Sequence, residues 1–383
     1  MFTRRHLLKT SLGAAASLAT AIPAAQASTD VAFSFILLGD LHYDKLEHHD
    51  MGWLQKKKGG DLGQIKNYSR ITADIMPKLF AQVRETVAKL NQTPETKVAF
   101  VLQVGDIVEG LCGTAELATR QNSEAINFVR NAKLGVPFLF TKGNHDVTGD
   151  GAPEAFKEVF HPFLSEQTAV LKRGAEKLQR AAYTVEQGNA LFCYFDAYDA
   201  ESLDWLEAAL AKRSAAHCFV AIHPPVVPYG ARATWHLYSS EKDKAKRVKL
   251  LELLGKQNAF VLGGHIHKFN TICRSTPGGG KFAQLAISSV IGSDDVKPKD
   301  ELHGPAEYNG DQIRVEPHFS PDTEAARRAV YAAEAPSVKE FEYADLPGYA
   351  VVTVKGESVK ADMYAGISSR LWKTVDLVKL RNA

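Results

Sequence analysis

Apolar residues in the first third of the chain occur in short runs that alternate with segments of helical spacing. The runs have the length and composition of buried strands, and they span 33–38, 98–102 and 137–140. Apolar residues at helical intervals predict a helix over 71–90, and a second helix is predicted over 115–132. Strands that alternate with helices in this way are typical of a parallel sheet covered by helices.

After residue 180 the pattern changes, because hairpins join the strand and helix units. Two apolar runs flank Gln187-Gly188-Asn189, which predicts a β-hairpin, and the runs at 349–354 and 358–364 predict another. The elements predicted between them are helices at 203–212 and 242–254 and strands at 218–222 and 260–262. Because hairpins and strand–helix units occur together, we expect two mixed β-sheets with helices on their outer faces.

Two long segments show little hydrophobic periodicity. We interpret residues 45–69 as a polar loop, and residues 291–345, which are rich in Pro, Asp and Glu, as an irregular surface excursion. The first segment contains His48-His49-Asp50, interpreted as part of a solvated loop that could instead border a binding site. It also contains Lys56-Lys57-Lys58, interpreted as a surface charge run, with a phosphate clamp as the alternative.

Isolated cysteines and histidines add less information. The four cysteines form no C-x-x-C pair, and we expect buried free thiols, although two disulfides are the alternative in an exported protein. They are Cys112, Cys193, Cys218 and Cys273. His303 and His318 are expected on the surface unless the excursion covers a site as a lid.

The N-terminus has the pattern of a bacterial export signal. Residues 1–27 contain Arg4-Arg5, then a small-residue apolar stretch, and end in Ala25-Gln26-Ala27, an A-x-A cleavage pattern. The paired arginines match a twin-arginine signal. We therefore expect the twin-arginine translocase as a partner and a periplasmic or secreted location. A membrane anchor is the alternative, but the apolar stretch is short for the ~20 residues of a membrane-spanning helix.

Charge excludes one class of partner. The chain has 46 Lys and Arg against 44 Asp and Glu, and three of the basic residues lie in the signal. A chain so balanced has no overall cationic field, so we expect no nucleic-acid binding. After cleavage, residues 28–383 are expected to form a single domain that is not integral to a membrane. Its parts are a core at 33–290, the excursion at 291–345 and a C-terminal β-hairpin region at 346–383.

Five short polar segments each follow an apolar run, at positions where strands are expected to end. They are Gly39-Asp40-Leu41-His42, Gly105-Asp106, Gly143-Asn144-His145-Asp146, Ile222-His223-Pro224 and Gly264-His265-Ile266-His267. Ligands bind at the carboxyl ends of strands in open α/β sheets, and glycine permits tight turns there. Carboxylate, amide and imidazole groups bind divalent ions, and one carboxylate can bridge two ions. The ordered set therefore predicts a two-metal site.

In their order and spacing these segments resemble the motifs of the calcineurin-like metallophosphoesterase superfamily, GD-x-H, GD, GNH[DE], H and GH-x-H. The resemblance covers residues 39–267. It implies an α/β fold in four layers, an αββα sandwich of two mixed β-sheets flanked by helices. The implied ligands are Asp40, His42 and His267 for one metal ion, Asn144, His223 and His265 for the second, and Asp106 as the bridge between them.

The resemblance also implies a reaction. Two divalent ions would lower the pKa of a shared water, and the resulting hydroxide would attack the phosphorus of a small phosphate mono- or diester. His145 would contact the substrate phosphate and stabilise the transition state or protonate the leaving group. Asp146 would orient and charge His145.

One departure from the superfamily pattern narrows the choice of metals. Purple acid phosphatases have Tyr three residues after the bridging Asp, where this chain has Glu109. Without a phenolate we expect no purple ferric site, and Mn, Zn or Fe(II)-containing pairs fit better. A nucleotide or phospholipid pyrophosphatase of the same fold and a non-catalytic metal-binding scaffold are the alternatives. Substrate choice is expected to depend on residues 45–69 and 291–345.

Overall fold

Two β-sheets form the centre of this molecule. The computed structural model describes residues 32–172, 177–289, 296–315 and 323–383, so the predicted export signal and His318 lie outside the described residues. The strands are β1 (Ala32–Leu38), β2 (Val98–Gln103), β3 (Phe138–Phe140), β4 (Tyr183–Gln187), β5 (Ala190–Phe195), β6 (His217–Ile222), β7 (Phe260–Gly263), β8 (Phe269–Ser275), β9 (Lys281–Ala286), β10 (Lys299–His303), β11 (Val338–Asp345), β12 (Gly348–Lys355), β13 (Ser358–Ala365) and β14 (Leu371–Asp376).

Both sheets combine parallel and antiparallel strands. The six-stranded sheet has the order β14-β13-β12-β1-β2-β3, and the eight-stranded sheet has the order β10-β11-β8-β9-β7-β6-β5-β4. Strand β1 is parallel to β2 and antiparallel to β12, while β5, β6 and β7 run parallel to one another. This arrangement confirms the prediction of two mixed sheets and places the carboxyl ends of the parallel strands at one edge.

Helices flank the sheets. They are α1 (Met51–Lys58), α2 (Leu62–Asp74), α3 (Met76–Leu90), α4 (Ala115–Asn131), α5 (Ala152–Ala155), α6 (His161–Lys172), α7 (Ser202–Ala211), α8 (Lys244–Lys256), α9 (Gly304–Gly310), α10 (Glu324–Glu334) and α11 (Leu377–Asn382). Helix α3 shows why they form: Leu79, Val83 and Val87 share one face and are buried in the main core. Within the described ranges, a search for helices of membrane-spanning length and hydropathy finds none.

Aromatic side chains fill the space between the sheets. Phe35 of β1 packs edge-on against Phe192 of β5 at 5.2 Å and against Phe219 of β6 at 5.5 Å between ring centroids. Phe192 and Phe219 are stacked at 4.7 Å. Buried aromatic pairs of this geometry contribute beyond their buried area. The inner faces of the two sheets therefore form one continuous core.

Three segments differ from their predicted structure. Residues 45–69 are mainly helical, because α1 and the start of α2 replace the predicted polar loop. The excursion 291–345 is ordered where it is described, with β10, α9, α10 and β11, and β11 pairs with β8 inside the eight-stranded sheet. The C-terminal region contains β14 and α11 in addition to the predicted hairpin of β12 and β13.

Two polar sites within these segments are also more buried than predicted. His48 and His49 are buried rather than solvated: Nε2 of His48 lies 3.1 Å from Glu124, and Nε2 of His49 lies 2.7 Å from Asp44 Oδ1. These contacts attach the segment before α1 to the body of the protein.

The four cysteines are buried thiols, in agreement with the sequence interpretation.

Candidate metal centre

The predicted donors lie in loops that leave the carboxyl ends of five strands. Loops after β1, β2 and β3 of the six-stranded sheet carry Asp40, His42, Asp106 and Asn144. Loops after β6 and β7 of the eight-stranded sheet carry His223, His265 and His267. The structure therefore brings all seven side chains together, and each sheet supplies part of the set.

Four of these donors have a left-handed backbone conformation. The residues and their φ angles are His42 at 47°, Asp106 at 57°, His265 at 70° and His267 at 61°. For residues other than glycine this conformation costs on the order of 1–3 kcal/mol and persists only where the surroundings hold it. At the first loop, the N–H groups of Leu41 and His42 both donate to the carbonyl of Asp106 at 2.9 Å. Strain at a cluster of donors is typical of a functional site.

Glycines beside the donors are required by close approach. A Cβ atom on Gly143 would lie 2.1 Å from Oδ1 of Asp106, and one on Gly264 would lie 2.1 Å from Oδ1 of Asp40. Real Cβ contacts are never so short, so any larger residue would displace a carboxylate of the site. The glycines of the polar segments therefore serve the donors directly.

The first group of donors comprises Asp40, His42, Asp106 and His267, whose donor atoms lie within 4.8 Å of one another. Nε2 of His267 lies 2.9 Å from Oδ2 of Asp40 and 3.1 Å from Nε2 of His42. Nε2 of His42 lies 3.7 Å from Oδ2 of Asp106. Two carboxylates and two imidazoles therefore surround one position.

The second group shares Asp106 with the first. Oδ2 of Asp106 lies 3.1 Å from Nε2 of His223. The same nitrogen lies 3.2 Å from Nδ1 of His265 and 3.2 Å from Oδ1 of Asn144. The Asp106 carboxylate thus stands between the groups, as expected for a bridging ligand.

The chemistry of the donors tests whether metal ions fit this site. Nδ1 of His223 lies 2.8 Å from the carbonyl oxygen of Val104 and donates its proton to it. A neutral His223 therefore presents a lone pair at Nε2, which faces oxygen atoms of Asp106 and Asn144. Acceptors that converge in this way repel one another unless a proton or a cation lies between them. The site therefore fits divalent ions, and the expected ligands are those that the sequence predicted.

Comparison with known families agrees with this geometry. Residues 33–269 match the family model described as calcineurin-like phosphoesterase. The match covers more than half of the 383 residues and includes all seven donors.

The chain belongs to the calcineurin-like phosphoesterase family. Its grouped carboxylate and imidazole donors are consistent with the use of divalent metal ions.

Solved structures that resemble this phosphoesterase have low sequence identity to it. The purple acid phosphatase PPD1 from yellow lupin (Lupinus luteus) seeds is 11% identical with a TM-score of 0.52, and the match covers 90% of this chain and 53% of that one. A dimetal phosphatase from Danio rerio is 13% identical with a TM-score of 0.49, and the match covers 90% and 99% of the two chains. The phosphoesterase thus spans about half of the lupin enzyme, and likeness at this identity concerns the fold. The comparison with curated protein sequences finds no match.

Residues outside the predicted set orient the imidazoles of the phosphoesterase. Nδ1 of His42 lies 2.7 Å from Oε2 of Glu109, and both residues are fully buried. The hydroxyl of Tyr68 lies 3.3 Å from Nδ1 of His267, and the Tyr68 ring stacks on His42 at 4.2 Å. Partners of this kind fix the ring that holds a metal and leave Nε2 free for the ion.

These orienting residues were missed by sequence reasoning, which noted Glu109 only as a departure from Tyr. Gln64 donates to Oε1 of Glu109 at 2.8 Å, and Gln64 and Tyr68 are four residues apart on α2. Their spacing puts both side chains on one face of a helix. A sequence analysis that placed α2 at Leu62–Asp74 could therefore have predicted that both residues face the site.

Electrostatic coupling between the donors is strong. Burial alone would raise the pKa of Asp106, but nearby His223 and His145 hold it well below its usual range. Burial alone would lower the pKa of His223, yet the carboxylates of Asp106 and Asp40 raise it to about 9. A metal ion that binds here must displace the proton from His223, so binding competes with protonation.

His145 and Asp146 lie beside the donors, with contacts that differ from the prediction. The Asp146 carboxylate accepts four backbone hydrogen bonds of 2.7–3.1 Å, which come from Asp106, Ile107, Val108 and Gly143. Nδ1 of His145 lies 2.7 Å from the carbonyl oxygen of Glu109 instead. The predicted pairing of Asp146 with His145 is therefore wrong: Asp146 holds the Asp106 loop against the Gly143 loop.

A cavity of about 270 Å³ opens over both groups of donors. Its lining includes His145 and five residues from segments other than the metal loops, Lys58, Asp61, Gln64, Arg232 and Trp235. Of the three lysines interpreted as a surface charge run, Lys58 lines this cavity, whereas Lys56 and Lys57 do not. The cavity combines metal donors, two cations, the carboxylate of Asp61 and one indole ring.

Proposed function

We propose that this phosphoesterase is a dinuclear enzyme that hydrolyses small phosphate monoesters. The proposal rests on one observation: Oδ2 of Asp106 lies 3.7 Å from a nitrogen of the first donor group and 3.1 Å from a nitrogen of the second. A pair of divalent ions, when bound, supplies Lewis acidity and a water that is activated at neutral pH. Mn, Zn and Fe(II) all fit a donor set of mixed oxygen and nitrogen.

His145 is the residue proposed to exchange a proton with the substrate. Its backbone N–H donates to Oδ1 of Asp106 at 2.8 Å, and its Nδ1 proton is directed to the Glu109 carbonyl. Burial acts to lower the pKa of His145, but the carboxylates of Asp106 and Glu109 raise it. A protonated Nε2 at the cavity wall suits the donation of a proton to a leaving oxygen.

The cations of the cavity favour monoesters over diesters. Lys58 and Arg232 line the same small cavity as the donors, where the Asp61 carboxylate is the one acidic group outside the donor set, so the added side chains carry a net positive charge. A phosphate monoester carries up to two negative charges near neutral pH, whereas a diester carries one, so added cations favour the monoester. A diester must also fit a second substituent into about 270 Å³.

Metal analysis and a bridging-ligand variant test the dinuclear site. We expect about two metal ions per chain in the purified protein and at least a 10³-fold loss of turnover in Asp106→Ala, with an unchanged far-UV circular dichroism spectrum. The assay compares p-nitrophenyl phosphate with bis(p-nitrophenyl) phosphate. Retained turnover in Asp106→Ala, or a single bound ion, contradicts the dinuclear proposal.

Lysines of the same run provide a matched test of the monoester proposal. Lys58→Ala removes a cation from the cavity and is expected to raise KM for p-nitrophenyl phosphate about tenfold, more than for the diester. Lys57→Ala removes a neighbouring charge outside the cavity and is expected to leave both substrates unaffected. Equal effects of the two variants, or faster turnover of the diester by the unchanged enzyme, would count against monoesters.

We also propose that residues 1–27 direct export through the twin-arginine pathway to the periplasm or beyond. The support is the sequence pattern alone, Arg4-Arg5 followed by an apolar stretch and an A-x-A site. Mass spectrometry of the protein from whole cells and from the periplasm tests it. We expect a mature chain that begins at Ser28, and loss of export in Arg4→Lys with Arg5→Lys.

A further inference from the structure

Trp235 is an exposed aromatic residue in the wall of the cavity. Its side chain is 38% exposed, whereas most large aromatic residues of the described chain are buried. The indole lies 5.5 Å from the ring of His265, measured between centroids, so it stands next to a metal donor. An indole in this position offers a rigid, flat apolar surface to a ligand that enters the cavity.

Arg232 lies against the same indole. The guanidinium carbon is 4.6 Å from the centre of the Trp235 ring, within the range of a cation–π contact. Both residues line the cavity, and Lys58 reaches it from α1. Two cations and one carboxylate outside the donor set, that of Asp61, therefore lie around the expected phosphate position, and the indole lies in the same wall.

The segment that carries the pair is held from a distant part of the chain. Gly230 has a φ of 68°, and its N–H donates to Oε1 of Gln312 at 2.7 Å. The hydroxyl of Tyr331, on α10, donates to the carbonyl of Gly230. Nδ1 of His236 donates to the carbonyl of Ala233 at 2.7 Å. The residues beyond β9 thus position Trp235 without lining the cavity themselves.

We propose that Trp235 and Arg232 form the leaving-group subsite, which selects phosphate monoesters whose ester oxygen bears a planar aromatic ring. Arg232 and Lys58 bind non-bridging phosphate oxygens, and the aromatic ring packs against the exposed part of the indole. An acyclic leaving group has no flat surface to offer and gains less from Trp235. This inference rests on the proposed monoesterase function and names its substrate class.

The test separates ring recognition from the chemistry of hydrolysis. Phenylphosphonate and methylphosphonate have no ester bond to break, so calorimetric titration of the metal-loaded enzyme measures binding alone. We expect phenylphosphonate to bind about tenfold more tightly than methylphosphonate, from the usual strength of aromatic stacking. In Trp235→Ala that ratio is expected to fall to near one, and in Trp235→Phe most of it is expected to remain.

Turnover provides the second measurement. The ratio of kcat/KM for phenyl phosphate to that for glycerol phosphate is expected to fall about tenfold in Trp235→Ala, mainly through KM. Leu371→Ala, which removes an exposed apolar side chain from β14, serves as a control and is expected to keep the ratio. The inference is wrong if Trp235→Ala lowers kcat/KM for phenyl phosphate and for glycerol phosphate by the same factor. It is also wrong if the unchanged enzyme binds the two phosphonates equally tightly. Failure of the proposed function looks different, since the unchanged enzyme would then hydrolyse neither ester.

Discussion

At the residue scale, Glu109 makes a fully buried contact with His42, one of the metal donors. The carboxylate lies 2.7 Å from Nδ1 of a metal donor, and neither Oε2 of Glu109 nor Nδ1 of His42 has a hydrogen-bond partner among the described residues. Burial raises the pKa of Glu109 to about 8, although His145 and the hydrogen bond from Gln64 oppose the rise. The pair is therefore costly to bury, which is consistent with a role in orienting the metal ligand.

Removal of this carboxylate tests that role. In Glu109→Ala the His42 ring loses its partner, and we expect metal affinity to fall about 10–100-fold. Isothermal titration calorimetry with Zn²⁺ or Mn²⁺ measures this change in metal affinity. Glu85→Ala removes an exposed carboxylate from α3 and should bind metal as the unchanged protein does. Equal metal affinity in the two variants would show that Glu109 has no role in orienting the metal ligand.

Asp146 provides a second prediction at this scale. Each of its carboxylate oxygens accepts two backbone hydrogen bonds, so in Asp146→Asn the amide nitrogen faces two N–H groups that have lost their acceptor. We expect unfolding free energy to fall by about 1–3 kcal/mol, measured by denaturant unfolding, with weaker metal binding. Asp74→Asn on the exposed face of α2 is the control. A stability equal to that of the control would contradict the bracing role of Asp146.

At the element scale, the segment Gly230–Trp235 links the site to the distant helix α10. His236 follows this segment and is buried; burial and the nearby Arg247 lower its pKa to about 4, against a partial opposing effect of Glu334. In the unfolded chain His has a pKa of about 6.5. Between pH 4 and 6.5 the unfolded state therefore binds a proton that the folded state does not.

This difference gives a pH dependence with a definite sign. Stability rises with pH through the window from 4 to 6.5, and His236 contributes up to about 1.4 kcal/mol per pH unit to the slope. In His236→Gln that part of the slope is expected to disappear, measured by urea unfolding at several pH values. His303→Gln, at an exposed position, is the control. Parallel slopes for the unchanged protein and His236→Gln would exclude the contribution.

Sequence reasoning predicted the elements next to the site better than those that surround it. The strands before Asp40 and Asp106 are mainly apolar runs, each followed within three residues by a glycine and a donor, so their type and approximate end can be read from the sequence. Helix α1 was missed because it is polar and buries only Leu54. The helix starts where the side chain of Asp50 accepts a hydrogen bond from the N–H of Trp53. In the sequence alone, this capping Asp is indistinguishable from a polar loop residue.

The contacts that position Trp235 could not be predicted for a different reason. The hydroxyl of Tyr331 reaches a carbonyl 101 residues away in sequence. No local pattern encodes such a pair, since propensity and periodicity describe only neighbours along the chain. The metal donors were predictable because their residue types are restricted by coordination chemistry, whereas the supporting residues are restricted only by shape.

At the scale of the whole molecule, metal ions should stabilise the fold. Strained backbone at four donors costs free energy that a bound cation offsets. At a free metal concentration one hundred times Kd, each site contributes about 2.7 kcal/mol. We expect Tm to fall after treatment with a chelator and to recover when Mn²⁺ or Zn²⁺ is added.

A double variant controls for effects of the metal elsewhere on the protein. In His265→Ala with His267→Ala one donor is lost from each group, so added metal should raise Tm much less. Metal content measured on the same samples shows whether the chelator removed the ions. A Tm that is identical with and without bound metal would contradict the prediction.

The origin of the donors in two separate sheets has a consequence for how the enzyme tolerates change. The spacing between the two parts of the donor set is the spacing of the sheets, which Phe35, Phe192 and Phe219 maintain in the interior. A substitution there can shift one sheet by a fraction of an ångström without unfolding the protein. Metal affinity is then sensitive to the packing volume between the sheets. Variants of the core should therefore lose their metal ions under conditions in which the protein is still folded.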